Sequence, residues 1–361
     1  MRKQALLFLS AAILLAFAGV LFCQEAAKPD VQDILREGVD LYDHREYAKA
    51  IEKYTQVLEI DPDNASALYE RSLAYVAVKE YDKCLTDVER GIKLKSEIGP
   101  DFYTMGGTCY SYQEKLDQAL EYFKKGLKKY PDHDQLNFNV AVVYAKLGKN
   151  RECREHLKKV LEADPNRSSA NFFLASLYEA ENYDVPAIFS YLRFFLTEPY
   201  SDRTQPAISA MLAIIDGTAV KGEGDSINIF MDVDQPKDEG DWSPISLLLS
   251  VSQALTLGDE AKGKTKAENY VETLRSIVLT TEEVDDRKLK KTFVYKHAVQ
   301  TLINMKNAGV LEVYLYRLLN EVHVEGGGKW LDGHKKEQES LDKWISENIR
   351  LKGSYFPMQG K

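Results

Sequence analysis

The absences that narrow the function most are those of catalytic and metal-binding motifs. The six histidines form neither HExxH nor HxH, and none of the four cysteines belongs to a CxxC pair. There is no GxSxG elbow and no phosphate-binding loop that ends in Gly-Lys-Ser/Thr. Acidic side chains are abundant, but no pair of them can be nominated for acid–base catalysis. We therefore expect no catalytic residues, no metal site and no cofactor, and the protein is expected not to be an enzyme.

The chain is also short of positive charge. It has 47 lysines and arginines against 56 aspartates and glutamates, and its net charge is -9. Binding to nucleic acid requires many cationic side chains that neutralise phosphates, so we expect no nucleic-acid partner. The length of 361 residues suggests two or three domains. A composition of 44% hydrophobic and 29% charged residues is ordinary for a soluble globular protein.

A long apolar run stands at the amino terminus. Arg2 and Lys3 precede an apolar stretch over residues 5–22, and polar residues resume at Gln24. This three-part layout is typical of a bacterial-type export signal, which we place at residues 1–23 and follow with a short polar linker at residues 24–30. The run is just long enough to span a bilayer, so an uncleaved anchor is an open alternative.

A lipoprotein is the third interpretation of the same stretch. Cys23 stands where a lipid-modified cysteine should fall, although the preceding residue, Phe22, is larger than the lipid-transferring enzymes favour. All three interpretations predict an exported protein, periplasmic or associated with the cell envelope, and two of them attach it to a membrane through its amino terminus.

Three cysteines follow the signal, which is an odd number. Cys84 and Cys153 occupy positions where small residues recur, and we interpret them as small buried hydrophobic residues. A disulfide between Cys84 and Cys109 is compatible with an oxidising compartment, but the spacing does not establish it.

One sequence pattern recurs five times between Val31 and Ser201. In each copy a small residue is followed three positions later by a large one, and a second small residue is followed four positions later by a large apolar one. Corresponding residues are 34 apart, with one extra residue, Gly99, between the second and third copies. A period of this length predicts a helical array. The pairs are Gly38/Leu41, Ala50/Tyr54, Ser72/Tyr75, Cys84/Val88, Gly107/Tyr110, Ala119/Phe123, Ala141/Tyr144, Cys153/Leu157, Ala175/Tyr178 and Ala187/Tyr191.

These positions resemble the signature of the tetratricopeptide repeat (TPR) family, over roughly half of the chain. Each repeat would hold two amphipathic helices, and neighbouring repeats would stack because no repeat can bury its apolar face alone. The resemblance implies an all-α fold, in which five repeats form a right-handed superhelix over residues 31–64, 65–98, 100–133, 134–167 and 168–201. An all-helical carboxyl-terminal domain follows.

The resemblance also implies where a partner binds, because ligands of this family usually lie in the groove lined by the first helix of each repeat. We expect apolar contact with a peptide or protein there. Some of these residues, Leu35, Leu73 and Val142 especially, could instead pack between helices. The main candidates are Tyr42, Tyr69, Thr108, Tyr112, Phe138, Lys146, Phe172 and Glu179, and the groove positions also include Leu35, Val39, Leu73, Val76, Thr104, Ser111, Val142 and Ser176.

One feature of related chaperone-binding proteins is missing. Those proteins hold a terminal carboxylate with lysine, asparagine and arginine side chains on their first helices. The corresponding positions in this chain are Leu35, Val39, Glu70, Asp101 and Met105. Recognition of an acidic carboxyl-terminal tail is therefore disfavoured.

Residues 202–241 are interpreted as a capping helix, roughly Thr204 to Ile215, and an acidic linker. Alternation at Ile227, Ile229 and Met231 indicates a short strand. The acidic residues that follow lack the spacing of a calcium loop, because Pro236 and Lys237 interrupt them, and we expect a solvated linker. They are Asp232, Asp234, Asp238, Glu239 and Asp241.

Residues 242–361 are predicted to form a helical carboxyl-terminal domain of about five helices. One longer helix is expected from Leu289 to a position near Gly309. The three glycines at 326–328 are expected to form a flexible hinge.

The function expected from these observations is that of a non-enzymatic scaffold or adaptor of the bacterial cell envelope, which binds a peptide or protein in the concave groove. Two alternatives remain open: an envelope lipoprotein that acts by self-association, and an enzyme whose site lies in the carboxyl-terminal domain. The sequence does not give the oligomeric state.

Overall fold

The computed structural model describes residues 30–224, 226–230, 239–258 and 261–349. These residues belong to two compact units, divided between Tyr130 and Pro131. The first unit holds the helices of the first three repeats, and the second holds those of the fourth and fifth repeats together with the described residues that follow. The predicted export signal and Cys23 lie outside the described residues.

Ten α-helices form the five predicted repeats, two helices to a repeat. The first unit contains α1 (Val31–Asp43), α2 (Tyr47–Ile60), α3 (Ala65–Ala77), α4 (Tyr81–Leu94), α5 (Gly99–Tyr112) and α6 (Leu116–Lys129). The second unit begins with α7 (Asp134–Lys146), α8 (Asn150–Ala163), α9 (Ser168–Ala180) and α10 (Asp184–Thr197). The prediction of an all-helical repeat fold is confirmed.

The turn between the two helices of each repeat recurs with the same period as the sequence pattern. At the same place in all five repeats one residue adopts the left-handed conformation, which closes a short turn between two helices. Only Gly148 is a glycine, so the other four repeats place a side chain in a conformation that L-residues rarely adopt. The five residues are Arg45, Lys79, Glu114, Gly148 and Asn182, with φ angles of 63°, 62°, 57°, 68° and 58°.

The recurrent small residues let the two helices of a repeat approach closely. A Cβ atom added to Gly38 would lie 2.6 Å from a ring carbon of Tyr54, and one added to Gly107 would lie 2.3 Å from a ring carbon of Phe123. Tyr54 and Phe123 are almost fully buried. The large residues of the second helices therefore fill space that the small residues of the first helices leave.

Cys84 and Cys109 form a disulfide that joins α4 to α5, across the second and third repeats. Both cysteines are completely buried, and so is Cys153, which is free. The structure thus shows that Cys84 and Cys109 are paired, a question that the sequence spacing left open. It also confirms the burial predicted for Cys84 and Cys153.

The second unit continues beyond the repeats with helices and a small hairpin. The elements are α11 (Thr204–Gly217), β1 (Ala219–Lys221), β2 (Ile227–Ile229), α12 (Ser243–Leu257), α13 (Lys266–Glu283), α14 (Gln300–Asn307), α15 (Leu311–Glu321), α16 (Gly327–Gly333) and α17 (Lys335–Asn348). Strands β1 and β2 pair antiparallel, with Ala219 opposite Ile229. The alternation in the sequence predicted β2 but not its partner.

Two predictions for this region were wrong. The long helix expected from Leu289 to about Gly309 is divided into a 3₁₀ turn (Leu289–Lys291), a π-helical segment (Tyr295–Val299) and α14. The three glycines are not a hinge. Gly326 adopts a φ angle of 93° and packs against Thr265. Gly327 and Gly328 form the start of α16. The packing of the chain, rather than its composition, therefore decides the conformation there.

The prediction of a solvated acidic linker was wrong at Glu239. Its side chain is 1% exposed and its carboxylate accepts hydrogen bonds from Arg154 Nε at 3.0 Å, Lys158 Nζ at 2.7 Å and the Tyr178 hydroxyl at 2.9 Å. Asp241, by contrast, is exposed. A carboxylate with three such partners can be buried because its charge is compensated.

The residues after the repeats pack mainly on α10. Every side chain of α10 from Val185 to Thr197 is buried. Trp242 lies against Phe189, with ring centroids 5.8 Å apart, and the Tyr314 hydroxyl donates to the main-chain oxygen of Leu192. The end of the repeat array is therefore covered by the chain itself, as a solenoid end requires.

Among the residues that the structure describes, no helix combines the length and the apolar character needed to cross a membrane. The same residues include no group of three or more histidine, cysteine, aspartate or glutamate side chains that could hold a metal ion.

Candidate binding groove

The first helices α1, α3, α5, α7 and α9 carry the sequence-predicted groove residues. None of those residues is buried. Tyr112 and Lys146 are exposed, and the others are partly exposed. Tyr112 is the most exposed large hydrophobic side chain of the described residues, at 59%. The structure therefore leaves these positions open to solvent.

In the first unit the groove positions are held by aromatic contacts. Tyr42 meets Tyr47 edge-on, with ring centroids 5.2 Å apart, and Tyr69 meets Phe102 edge-on at 5.9 Å. Tyr112 stacks on another tyrosine of the same unit. These contacts restrict the motion of the rings before a partner arrives, which lowers the entropic cost of its binding.

Three carboxylates lie among these rings. Asp43 ends α1, Glu70 lies next to Tyr69 on α3, and Asp101 lies in the first turn of α5. Partial burial, together with the negative charge of Asp43, raises the pKa of Glu70. The sequence identified Glu70 and Asp101 only as positions where a carboxylate clamp is missing, and it gave no signal for Asp43.

In the second unit the predicted aromatic residues lie under arginines. The guanidinium of Arg167 is 4.6 Å from the ring centroid of Phe138, and that of Arg203 is 5.0 Å from the ring centroid of Phe172. Glu179 accepts a hydrogen bond from the Tyr191 hydroxyl. The first-helix surface of this unit is therefore mixed, with cationic groups stacked on apolar rings.

The alternative that some groove residues pack between helices holds in part. Leu35 and Leu73 are partly buried against the core of the first unit, which includes Leu68 and Phe102. Tyr69 and Val76 also touch that core. These side chains contribute to stability as well as to the surface.

A shallow cleft lies beyond the repeats, between α11, β1, α12 and α13, with a volume of about 400 Å³. In it Asp216 accepts hydrogen bonds from the Tyr270 hydroxyl at 2.8 Å and from Gln253 Nε2 at 3.1 Å. Burial and the Asp216 carboxylate raise the pKa of Tyr270. Asp216 and Tyr270 thus form one hydrogen-bonded pair on the wall of the cleft.

Comparisons with known proteins agree with this architecture. Residues 112–180 match a family model described as tetratricopeptide repeat, and residues 38–79 match one described as TPR repeat. The Hsp70-Hsp90 organizing protein 1 of Glycine max is 28% identical over 142 residues, which are 39% of this chain and 23% of that protein. The small glutamine-rich tetratricopeptide repeat-containing protein 2 of Saccharomyces cerevisiae is 31% identical over 100 residues, 28% of this chain and 29% of that protein.

The chain thus spans less than a third of the length of these curated relatives. Among solved structures, PilW, described as a type IV pilus biogenesis factor, is 18% identical with a TM-score of 0.44; the match covers 53% of this chain and 93% of that one. A thermophilic TPR protein of Thermus thermophilus, TTC0263, is 22% identical with a TM-score of 0.42, and the match covers 50% of this chain and 99% of that one.

Proposed function

We propose that this chain, a tetratricopeptide-repeat protein, is a non-enzymatic scaffold that holds a segment of a protein partner on the first helices of its repeats. One observation carries the proposal: every predicted groove position remains at least partly exposed, whereas the second helix of the last repeat is covered by the chain itself. A preformed surface of this kind loses little conformational entropy on binding, so that modest apolar contacts suffice.

The partner class proposed differs from that named for some relatives. The Hsp70-Hsp90 organizing proteins are named for Hsp70 and Hsp90. In this chain the positions of a carboxylate clamp include Glu70 and Asp101, which would repel an acidic tail. We therefore propose a partner that is recognised through another chemistry.

The experiment is capture of the partner by crosslinking in native cells, with a groove variant in parallel. Changing Tyr69, Phe138 and Phe172 together to alanine removes three rings from the first helices. We expect capture to be lost while the circular dichroism spectrum and thermal transition stay cooperative. The matched control changes Leu247 and Leu255 to alanine, because these are exposed apolar residues of α12, outside the repeats. Capture that persists in the groove variant would overturn the proposal.

We further propose that the protein is exported, with its repeats in the periplasm or at the cell envelope. Arg2, Lys3 and the apolar run over residues 5–22 support this location. A lipid anchor at Cys23, or self-association at the membrane, is tested by Cys23→Ala followed by membrane fractionation. Unchanged fractionation would exclude the lipid anchor, and recovery in the cytoplasmic fraction of the unaltered protein would exclude export.

A further inference from the structure

Six residues of the first unit form a cluster that we call the acidic tyrosine patch, five of them at the surface and Tyr54 buried beneath: Tyr42, Asp43, Tyr54, Tyr69, Glu70 and Asp101. They are supplied by α1, α2, α3 and α5, and α3 contacts both α1 and α5. Asp43 is exposed, and Glu70 and Asp101 are partly exposed. The patch therefore brings three carboxylates and several phenol rings to one region of the predicted groove.

Among the described residues, no lysine or arginine forms an ion pair with the carboxylates of the patch. The two arginines on the same first helices are engaged elsewhere. Arg36 pairs with Asp33 at 2.8 Å, and Arg71 pairs with Asp87 at 2.7 Å. In this part of the chain, negative charge is thus left uncompensated at the surface.

The groups of the patch act on one another. Burial and the charge of Asp43 raise the pKa of Glu70, and burial together with the charges of Asp101 and Glu70 raises the pKa of Tyr69. The pKa of Tyr42 is raised by burial and by its neighbours, Glu70 and Asp43 among them. Such mutual repulsion is relieved when a cation binds between the groups.

An unpaired hydroxyl faces the same groups. Tyr54 is fully buried and its hydroxyl has no hydrogen-bond partner. Burial raises the pKa of this hydroxyl, and Glu70, Tyr42 and Asp43 add to the effect. A buried hydroxyl without a partner destabilises the folded state. The Tyr54 hydroxyl therefore lies near Glu70 and Asp43, beneath the surface, with its hydrogen-bonding capacity unused.

We infer that the acidic tyrosine patch is the docking point for a lysine or arginine side chain of the partner, so that the first three repeats select a basic segment. The inference rests on the proposed function and specifies the chemistry of the partner. Carboxylates supply the ion pair, phenol rings supply cation–π contact, and the match of charge provides specificity and a faster association.

The test measures peptide binding by the full-length chain with fluorescence anisotropy. The probes are a peptide of about 12 residues in which lysine and serine alternate and its counterpart with glutamate in place of lysine, at about 50 mM salt. We expect the lysine peptide to bind at least tenfold more tightly. Glu70→Gln and Asp43→Asn should each weaken its binding about three- to tenfold. Glu59→Gln, an exposed carboxylate on the second helix α2, is the matched control and should leave binding unchanged.

Equal binding of the two peptides, or equal effects of Glu70→Gln and Glu59→Gln, would overturn the inference. Sedimentation of the protein without a partner tests whether a second copy of the chain occupies the patch. An oligomer that dissociates on Glu70→Gln would mean that a second copy supplies the basic segment, and would overturn the assignment to a separate partner.

Partner capture by the same variants separates this inference from the proposed function. Loss of capture in the Tyr69, Phe138 and Phe172 variant, with an undiminished yield of captured partner for Glu70→Gln, would leave the groove function standing and overturn the basic preference. Capture that is retained in both variants would overturn both. Glu70→Gln is nearly isosteric, so a thermal transition like that of the unaltered protein is expected and serves as the folding check.

Discussion

Asn171 Oδ1 accepts a hydrogen bond from His297 Nε2 at 2.7 Å, although the two residues are 126 positions apart in sequence. In the fourth repeat Oδ1 of the equivalent residue, Asn137, accepts a hydrogen bond from Nδ1 of His156, in its own repeat, at 2.9 Å. Both asparagines donate their amide nitrogen to the carbonyl of the preceding terminal proline, which fixes the amide oxygen as the acceptor. A histidine from beyond the repeats thus takes the role that the fourth repeat fills from within.

This relationship predicts a dependence of stability on pH. Burial, with the charge of Arg193, lowers the pKa of His297 to about 3, from the usual 6.5. The unfolded chain therefore binds a proton between these two pKa values that the folded chain does not, and stability is full above about pH 6.5 and falls as the pH decreases towards 3. Between pH 7 and pH 5 we expect His297 to cost about 2 kcal/mol of unfolding free energy.

Urea denaturation at the two pH values measures this loss. His297→Gln keeps a donor for Asn171 but cannot titrate, so the variant should lose about 2 kcal/mol less than the unaltered protein. His323→Gln removes an exposed histidine and is the control. The same loss in all three proteins would contradict this account of the contact.

The second prediction concerns the buried carboxylate of Glu239. Glu239→Gln leaves Arg154 and Lys158 with one carboxylate fewer, and we expect a loss of about 3 to 5 kcal/mol in the unfolding free energy of the second unit. Glu155→Gln removes an exposed partner of the same Lys158 and should cost about 0.5 kcal/mol or less. A loss below about 1 kcal/mol for Glu239→Gln would show that the buried ion pairs are not structural.

The third prediction concerns the disulfide of the first unit. Cys84 and Cys109 are separated by 25 positions, and closing a loop of that size restricts the unfolded chain by about 3 kcal/mol. A reducing agent should lower the denaturation midpoint of the unaltered protein and should have no effect on the Cys84→Ala, Cys109→Ala double variant. Cys153→Ala should retain the full response, since Cys153 is free. An unaltered protein that does not respond to reduction would contradict the pairing.

The repeats could be predicted from the sequence because their determinants are local and recur at a fixed interval. The small residue at Gly107 and the large one at Phe123 lie within one repeat, and the structure brings them into contact. The same applies to Gly38 and Tyr54. The positions of the candidate groove residues were predicted from the same repeat alignment, and the structure shows that each of them is at least partly exposed.

What the sequence did not reveal depends on contacts between distant segments. Glu239 looks like one more acidic residue of a polar stretch, because its partners lie 61 to 85 positions away and leave no local pattern. Strand β1 has no alternation of its own and is defined by its pairing with β2. The composition of residues 326–328 suggests flexibility, but Gly326 is held against Thr265.

The fourth prediction tests the packing of the repeats. Gly107→Ala places a methyl group within 2.3 Å of the Phe123 ring, which must shift in a filled core, and we expect a loss of about 1 to 3 kcal/mol in unfolding free energy. Gly217→Ala, at the end of α11, meets nothing within 4 Å and should cost less than about 1 kcal/mol. If thermal melts showed equal losses, close helix approach at Gly107 would not be a determinant of the fold.

The central claim, that the partner lies on the first helices, is tested most directly by site-specific photocrosslinking in native cells. A photoreactive residue is placed at Tyr112 or Lys146 on the first helices, and at Leu247 or Leu255 on α12 as matched exposed positions. The account predicts that one and the same partner is crosslinked from Tyr112 and Lys146 and not from the two leucine positions. Crosslinks to that partner from Leu247 and Leu255, with none from the first helices, would contradict it.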